Sequence, residues 1–167
     1  PPASAAERTG DRDTIRKGLA TCASLGITSI QNMDGNLYQI ELLKDLLDAG
    51  ELQVRAEIPF HQIPGFEPEA VREAADWKRL YNGDMLHAGR VKLFMDGVLE
   101  SLTALMIEDY PGHPGVTGAP NFTAEKFNQI AVLADSLGLR DAWELASLRV
   151  LGFTRAEVSS LLIAEIA

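Results

Sequence analysis

The apolar positions change period several times along this chain, and each change marks an element. Ile15, Leu19 and Cys22 recur at helical spacing. Asp11 or Asp13 is placed to cap that helix, and Gly26 suits the position just past its end. Residues 27–31 (ITSIQ) read as a short buried strand. Asn36 opens a second helix with Leu37, Ile40, Leu43 and Leu47 along one face, and Gly50 closes it. Leu52, Val54, Ala56 and Ile58 then alternate with Gln53, Arg55 and Glu57, a strand pattern that Pro59 is expected to end. Pro68 fits the first turn of a third helix reaching Tyr81, where Asn82-Gly83 breaks it. Residues 90–94 (RVKLF) read as the next strand, with Asp96-Gly97 as the turn after it. Residues 98–121 are irregular, with Pro111, Gly112, Pro114 and Gly115 among them. Thr123 caps a helix that carries Phe127, Ile130, Leu133 and Leu137 and ends at Gly138.

Strands alternating with helices predict an α/β fold with a parallel sheet. The connections suit a (β/α) barrel or a doubly wound sheet, and we take a partial TIM-type barrel as the expectation. A complete barrel usually needs about 250 residues, whereas this chain supplies three strands up to Leu139. The rhythm then fails. Gly138-Leu139 should feed another strand, yet residues 141–150 read as helix, with Trp143, Ala146 and Val150 on one face. Thr154 and Glu157 form a capping-box pattern ahead of Val158, Leu161, Leu162 and Ile166. The expected organisation is a partial barrel over 1–139, a helical segment over 140–167, and a discontinuity at 139/140.

Composition narrows the function classes. Of 167 residues, 46% are apolar and 23% charged, which describes one ordinary soluble domain with a real core. No stretch approaches the roughly 20 apolar residues of a membrane span. A formal charge of -9 argues against nucleic acid, whose phosphates need a basic patch. The single cysteine, Cys22, excludes a disulfide framework and a Cys-rich zinc site, and its place on an apolar helix face suits a small buried residue. The first residues carry neither the basic nor the apolar region of a secretory leader, so a cytoplasmic location is expected. The chain does not start with Met, and a start inside a longer gene product is expected.

Lys92 stands out because it sits inside an otherwise apolar strand. A buried lysine is costly unless it is paired or chemically changed. One reading pairs it with Asp96 or Glu100; the other makes it a catalytic or metal-site lysine at a strand end. His61, His87 and His113 are scattered, with no H-x-H or H-E-x-x-H spacing to place two ligands on one metal. Only His61 follows a strand end, where it could line a site. Asn121-Phe122-Thr123 matches a glycosylation acceptor, but Thr123 is better explained as a helix cap.

Three runs together resemble a known family. They are 26–35 (GITSIQNMDG), 52–56 (LQVRA) and above all 91–104 (VKLFMDGVLESLTA). With Pro114-Gly115 and 134–139 (ADSLGL), they resemble the YtcJ-like branch of the amidohydrolase superfamily, the amidohydrolase 3 group, in the right order over residues 10–139. The resemblance implies a metal-dependent hydrolase on a (β/α)8 barrel. Such an enzyme cleaves amide or related C–N bonds of small molecules with water activated by a divalent metal, typically zinc. It aligns Lys92 with a strand-4 lysine that can be carboxylated and bind metal, turning a cation into an anionic oxygen ligand. Asp96, Glu100 and His61 would then shape the site or contact substrate.

The departures also set expectations. The family's first-strand H-x-H pair and its later histidine and aspartate ligands have no counterpart in this chain. One carbamate does not hold a divalent ion that normally needs three or four protein ligands. Taken alone, the chain is therefore expected to be inactive. The alternative function is a non-catalytic partial barrel, a binding or oligomerisation module whose exposed sheet edges and apolar helix faces favour self-association or a partner.

Overall fold

The computed structural model describes residues 2–139. The helices expected over 141–150 and after Thr154 lie outside the described residues. So do the expected 140–167 segment and its junction at 139/140.

The described residues form two units. The first comprises residues up to Phe94 together with Thr123–Leu139. It contains α1 (Ala5–Ser24), β1 (Ser29–Gln31), α2 (Leu37–Asp48), β2 (Arg55–His61), α3 (Arg72–Tyr81), β3 (Leu86–Lys92) and α4 (Ala124–Ser136). The three strands pair in parallel, in the order β1-β2-β3. An order that follows the chain without reversal suits a partial barrel, whereas a doubly wound sheet reverses direction partway.

The core lies between the sheet and its helices. Ala56, Ile58 and Phe60 of β2 and Leu86 and Ala88 of β3 are buried against Ile40, Leu43 and Leu46 of α2 and Val71, Ala74 and Trp77 around α3. Phe60 and Trp77 meet edge to face, with ring centroids 5.2 Å apart, and the Trp77 indole N–H donates to Glu73. The opposite face of the sheet carries Ser29, Gln31, Arg55, Glu57, His61, His87 and Lys92, all half-buried or exposed. Helix α1 packs on α2, and Arg8 reaches across to Asp45 and Glu41 at 2.9 and 3.1 Å. Asp45 first, then Glu41, hold the Arg8 guanidinium above its usual range. Among the described residues no helix is long and apolar enough to cross a membrane.

Several boundaries differ from expectation for identifiable reasons. Helix α1 begins at Ala5, not at Asp11 or Asp13. Ser4 and Glu7 form a reciprocal capping box there, and Gly10 is absorbed into the helix interior. Strand β1 is shorter than 27–31 and is not buried, because Ser29 and Gln31 lie on the open face. Strand β2 starts at Arg55 and runs through Pro59 to His61. Pro59 is tolerated because its nitrogen faces the β1 side, as that of Arg55 does, and the β1 ladder has already ended at Gln31 opposite Glu57, so no partner there needs an N–H. The helix expected from Pro68 is a 3-10 turn over Pro68–Val71 before α3 begins.

Strand β3 is displaced furthest. It covers Leu86–Lys92, and Phe94 lies beyond it. Ile58 pairs with Ala88, and Phe60 pairs with Val91, so β3 carries one extra residue across this interval. Gly89 sits in the bulge at φ 107°, a conformation that L side chains rarely adopt. The bulge changes the alternation. Leu86 and Ala88 face the helices, as does Val91 opposite Phe60, while Lys92 falls opposite His61 on the open face.

The second unit includes Met95–Phe122, a compact loop. Asp96 accepts the Leu105 N–H at 2.9 Å, and the Tyr110 hydroxyl donates to the Ala104 carbonyl at 2.7 Å. Gly97 lies so close to Thr103, and Gly118 to the Ala104 carbonyl, that any side chain at either position would overlap them.

Candidate active site

In parallel α/β sheets, chemistry gathers at the C-terminal ends of the strands. Here that end holds His61 on β2 and Lys92 on β3, register partners on the same face. The Gln62 N–H donates to the Lys92 carbonyl at 2.9 Å, which holds the two strand ends together. The Lys92 ammonium lies over the Phe94 ring, 4.3 Å from its centroid. His61 packs edge to face on the same ring, at 4.9 Å and 72°. His61 and Lys92 thus share one aromatic wall.

The loop after β1 adds a carboxylate. Asn32 fixes this loop by accepting from the Asp34 N–H and donating to Gln39. Gly35 passes Ile58 where no Cβ would fit, and Asn36 caps α2 by accepting the Gln39 N–H at 3.1 Å. Asp34, itself 83% exposed, stands 3.4 Å from His61 Nδ1. The other ring nitrogen, His61 Nε2, is buried without a hydrogen-bond partner. Asp34 appears in the family-like run 26–35, but only the three-dimensional position of His61 shows what it faces.

Toward the other end of the open face, Glu57 links the three strands. It accepts from Gln31 Nε2 at 2.5 Å and pairs with Arg90 at 2.7 Å. A cavity of about 400 Å³ lies over this row, lined by Ser29, Gln31, Arg55, Glu57 and His87. A larger open groove of about 970 Å³ runs between the Pro68–Val71 turn and α4.

Asp96 and Glu100 belong to the second unit. The Asp96 carboxylate is committed to the Leu105 backbone, and the Asp96 carbonyl accepts from Asn121 Nδ2 at 3.1 Å. Glu100 is exposed on the 3-10 turn Leu99–Ser101. Thr123 caps α4, as expected, by accepting the Lys126 N–H at 3.1 Å.

The strand ends bring Lys92 beside His61, whose Nε2 is buried without a hydrogen-bond partner and whose Nδ1 faces the Asp34 carboxylate. Among the described residues no three His, Cys, Asp or Glu side chains are grouped closely enough to hold an ion, so these side chains do not by themselves make a metal site.

Comparison with known proteins places these features in a lineage. Two solved structures resemble the chain: uncharacterized metal-dependent hydrolases from Pyrococcus horikoshii OT3 (25% identity, TM-score 0.61) and from Pyrococcus furiosus (23% identity, TM-score 0.63). They cover 74% and 78% of this chain, which spans only 25% and 27% of theirs. None of the curated proteins matches it. The model of the amidohydrolase family matches residues 3–142, well over half of the chain. The chain therefore belongs to the amidohydrolase family.

Proposed function

We propose that this chain is a segment of a metal-dependent amidohydrolase whose parent enzyme hydrolyses an amide or related C–N bond of a small molecule. One observation carries the reading: Lys92 ends a parallel strand on the open face of the sheet, opposite His61. Among the described residues its ammonium has an aromatic ring, not a carboxylate, for company. A carbamate forms when the neutral Nζ amine attacks carbon dioxide, making an N–C bond and releasing a proton to solvent base. Lys92 then offers an anionic oxygen in place of a cation. A divalent metal, zinc in our proposal, would supply an activated water and polarise the scissile carbonyl. Among the described residues no three ligand side chains are grouped to hold an ion, and the chain alone is proposed to be inactive. Asp96 serves by fixing its own loop.

The test is Lys92→Ala in the full-length gene product, folding being checked by circular dichroism. Metal affinity is expected to fall at least about tenfold, the loss that removal of an outer-shell partner alone can produce. The carbamate carbon resonance seen after ¹³C-bicarbonate labelling is expected to vanish. Unchanged metal content with no carbamate in the parent protein refutes the reading.

The second reading, a self-associating module, is favoured by the sheet edges. Among the described residues β1 and β3 each pair on one side only. That reading predicts dimers in sedimentation without bound metal.

A further inference from the structure

The cavity of about 400 Å³ over the N-terminal half of the open sheet face is lined by polar side chains of all three strands. Its volume falls in the roughly 300–1,000 Å³ range of small-molecule sites. Ser29 is the register partner of Arg55, and Glu57 stands in register with Gln31 on one side and His87 on the other. The charges in this layer are unevenly matched. The Glu57 carboxylate accepts from Gln31 and pairs with Arg90, where the Arg90 and Glu57 side chains are only 21% and 16% exposed. Its charge is therefore already balanced. Arg55 has no such counterweight: among the described residues its guanidinium makes neither a hydrogen bond nor an ion pair. The Ser29 hydroxyl and the His87 ring are likewise without partners there. In a chain of formal charge -9, the one uncompensated charge at this cavity is positive.

That lining selects a chemistry. A guanidinium fork meets a carboxylate with two parallel charge-assisted hydrogen bonds. The Ser29 hydroxyl and a His87 ring N–H add neutral donors beside it. One uncompensated cation balances a singly charged carboxylate and leaves a doubly charged phosphate half neutralised. Glu57 adds a second requirement. It uses two of its roughly four lone-pair sites on Gln31 and Arg90, so it can still accept from a donor on a ligand. Residues two apart on a strand are about 6.6 Å apart, which sets anchor and acceptor a few bonds from each other.

We propose that this cavity binds a small organic carboxylate that also carries a hydroxyl or ammonium donor. Arg55 grips the carboxylate, Ser29 and His87 flank it, and Glu57, held by Gln31 and Arg90, accepts from the donor. The cavity lies toward the opposite end of the strands from His61 and Lys92. It stands or falls independently of the hydrolase reading.

The experiment is a ¹H–¹⁵N NMR titration of the whole 167-residue chain with 4-hydroxybutyrate, butyrate and inorganic phosphate in turn. 4-Hydroxybutyrate is expected to give saturable shifts at Ser29, Arg55 and His87, with a Kd below about 10 mM. Arg55→Gln, a change at an exposed strand start, should weaken binding by about 10–100-fold. Arg55→Lys keeps the charge but not the fork and should fall between; it carries the test if Arg55→Gln fails to fold by circular dichroism. Butyrate, which lacks the donor, should bind more weakly, and equal affinity overturns the role given to Glu57. Phosphate bound as tightly as 4-hydroxybutyrate overturns the carboxylate assignment. Absence of saturable shifts, or shifts that persist unchanged in both Arg55 variants, overturns the site itself.

Discussion

The β3 bulge yields the most quantitative prediction. Gly89→Ala introduces two separate costs. At φ 107° a side chain is strained whatever the space around it, by about 1–2 kcal/mol. The new Cβ would also enter α3. Lys78 Cγ would lie 2.8 Å away and Lys78 Cα 3.1 Å, with Lys78 Cβ closer still. The Lys78 backbone has little room to retreat, because the neighbouring Trp77 is buried against Phe60. Overpacking of this kind costs about 1–3 kcal/mol. Gly89→Ala should therefore destabilise by about 2–5 kcal/mol in all. Gly26 provides the control: it has φ 77° and open space around its missing Cβ, so Gly26→Ala should cost only the strain of about 1–2 kcal/mol. Urea unfolding followed by circular dichroism separates the two. With a slope of about 2 kcal/mol per molar urea, a 3 kcal/mol loss moves the midpoint by about 1.5 M. If Gly89→Ala costs no more than Gly26→Ala, the close packing of α3 on β3 is not what holds this position to glycine.

Two further predictions concern charge. The Arg8 pairs with Glu41 and Asp45 are more than a third exposed on both sides. A double-mutant cycle on Arg8 and Asp45 should therefore give a coupling of only about 0.2–1 kcal/mol, fading in about 1 M salt. At the start of α1, the Ser4 hydroxyl and backbone N–H hold the Glu7 carboxyl below the usual carboxylate range. A depressed folded value means that the cap's contribution is present above the unfolded carboxylate value and is lost as pH falls through the folded one. Helix content from pH 6 to pH 2 should fall at the acid end, and Glu7→Gln should flatten that fall. An unchanged acid limb in Glu7→Gln would remove the capping box from the explanation.

Local signals carried much of this fold, and non-local ones carried the rest. Asn36 and Thr123 cap α2 and α4 where side-chain chemistry and apolar spacing agree. The Ser4 capping box follows the same rule, but the cap-competent Asp11 and Asp13 lie nearer the apolar stripe and draw the reading away from it. Strand β2 was legible from its alternation, but its end was not. Pro59 terminates a strand only where the ladder needs its N–H, and the partner strand decides that. Strand β3 was half legible, because its bulge breaks the period that identifies a strand. In the site, Lys92 stood out as a cation in an apolar run. Its pairing with His61 depends on register between strands, and the approach of Asp34 to His61 depends on a loop passing over a neighbouring strand. Neither leaves a mark in local spacing.

The bulge at Gly89 also makes the phase of β3 depend on conformation as well as on residue count. Because β3 carries one residue more than β2 across this interval, a deletion of one residue between Ala88 and Val91 would let the ladder close regularly, with Val91 still opposite Phe60 and Lys92 still opposite His61. A bulge that flattened with every residue retained would instead bring Arg90 opposite Phe60 and Val91 opposite His61, and would turn Lys92 off the open face. The site lysine would then survive in the gene and be lost from the site. Lineages that keep the lysine at work are therefore expected either to hold a glycine at the bulge or to be one residue shorter there, and not to replace Gly89 while keeping their length.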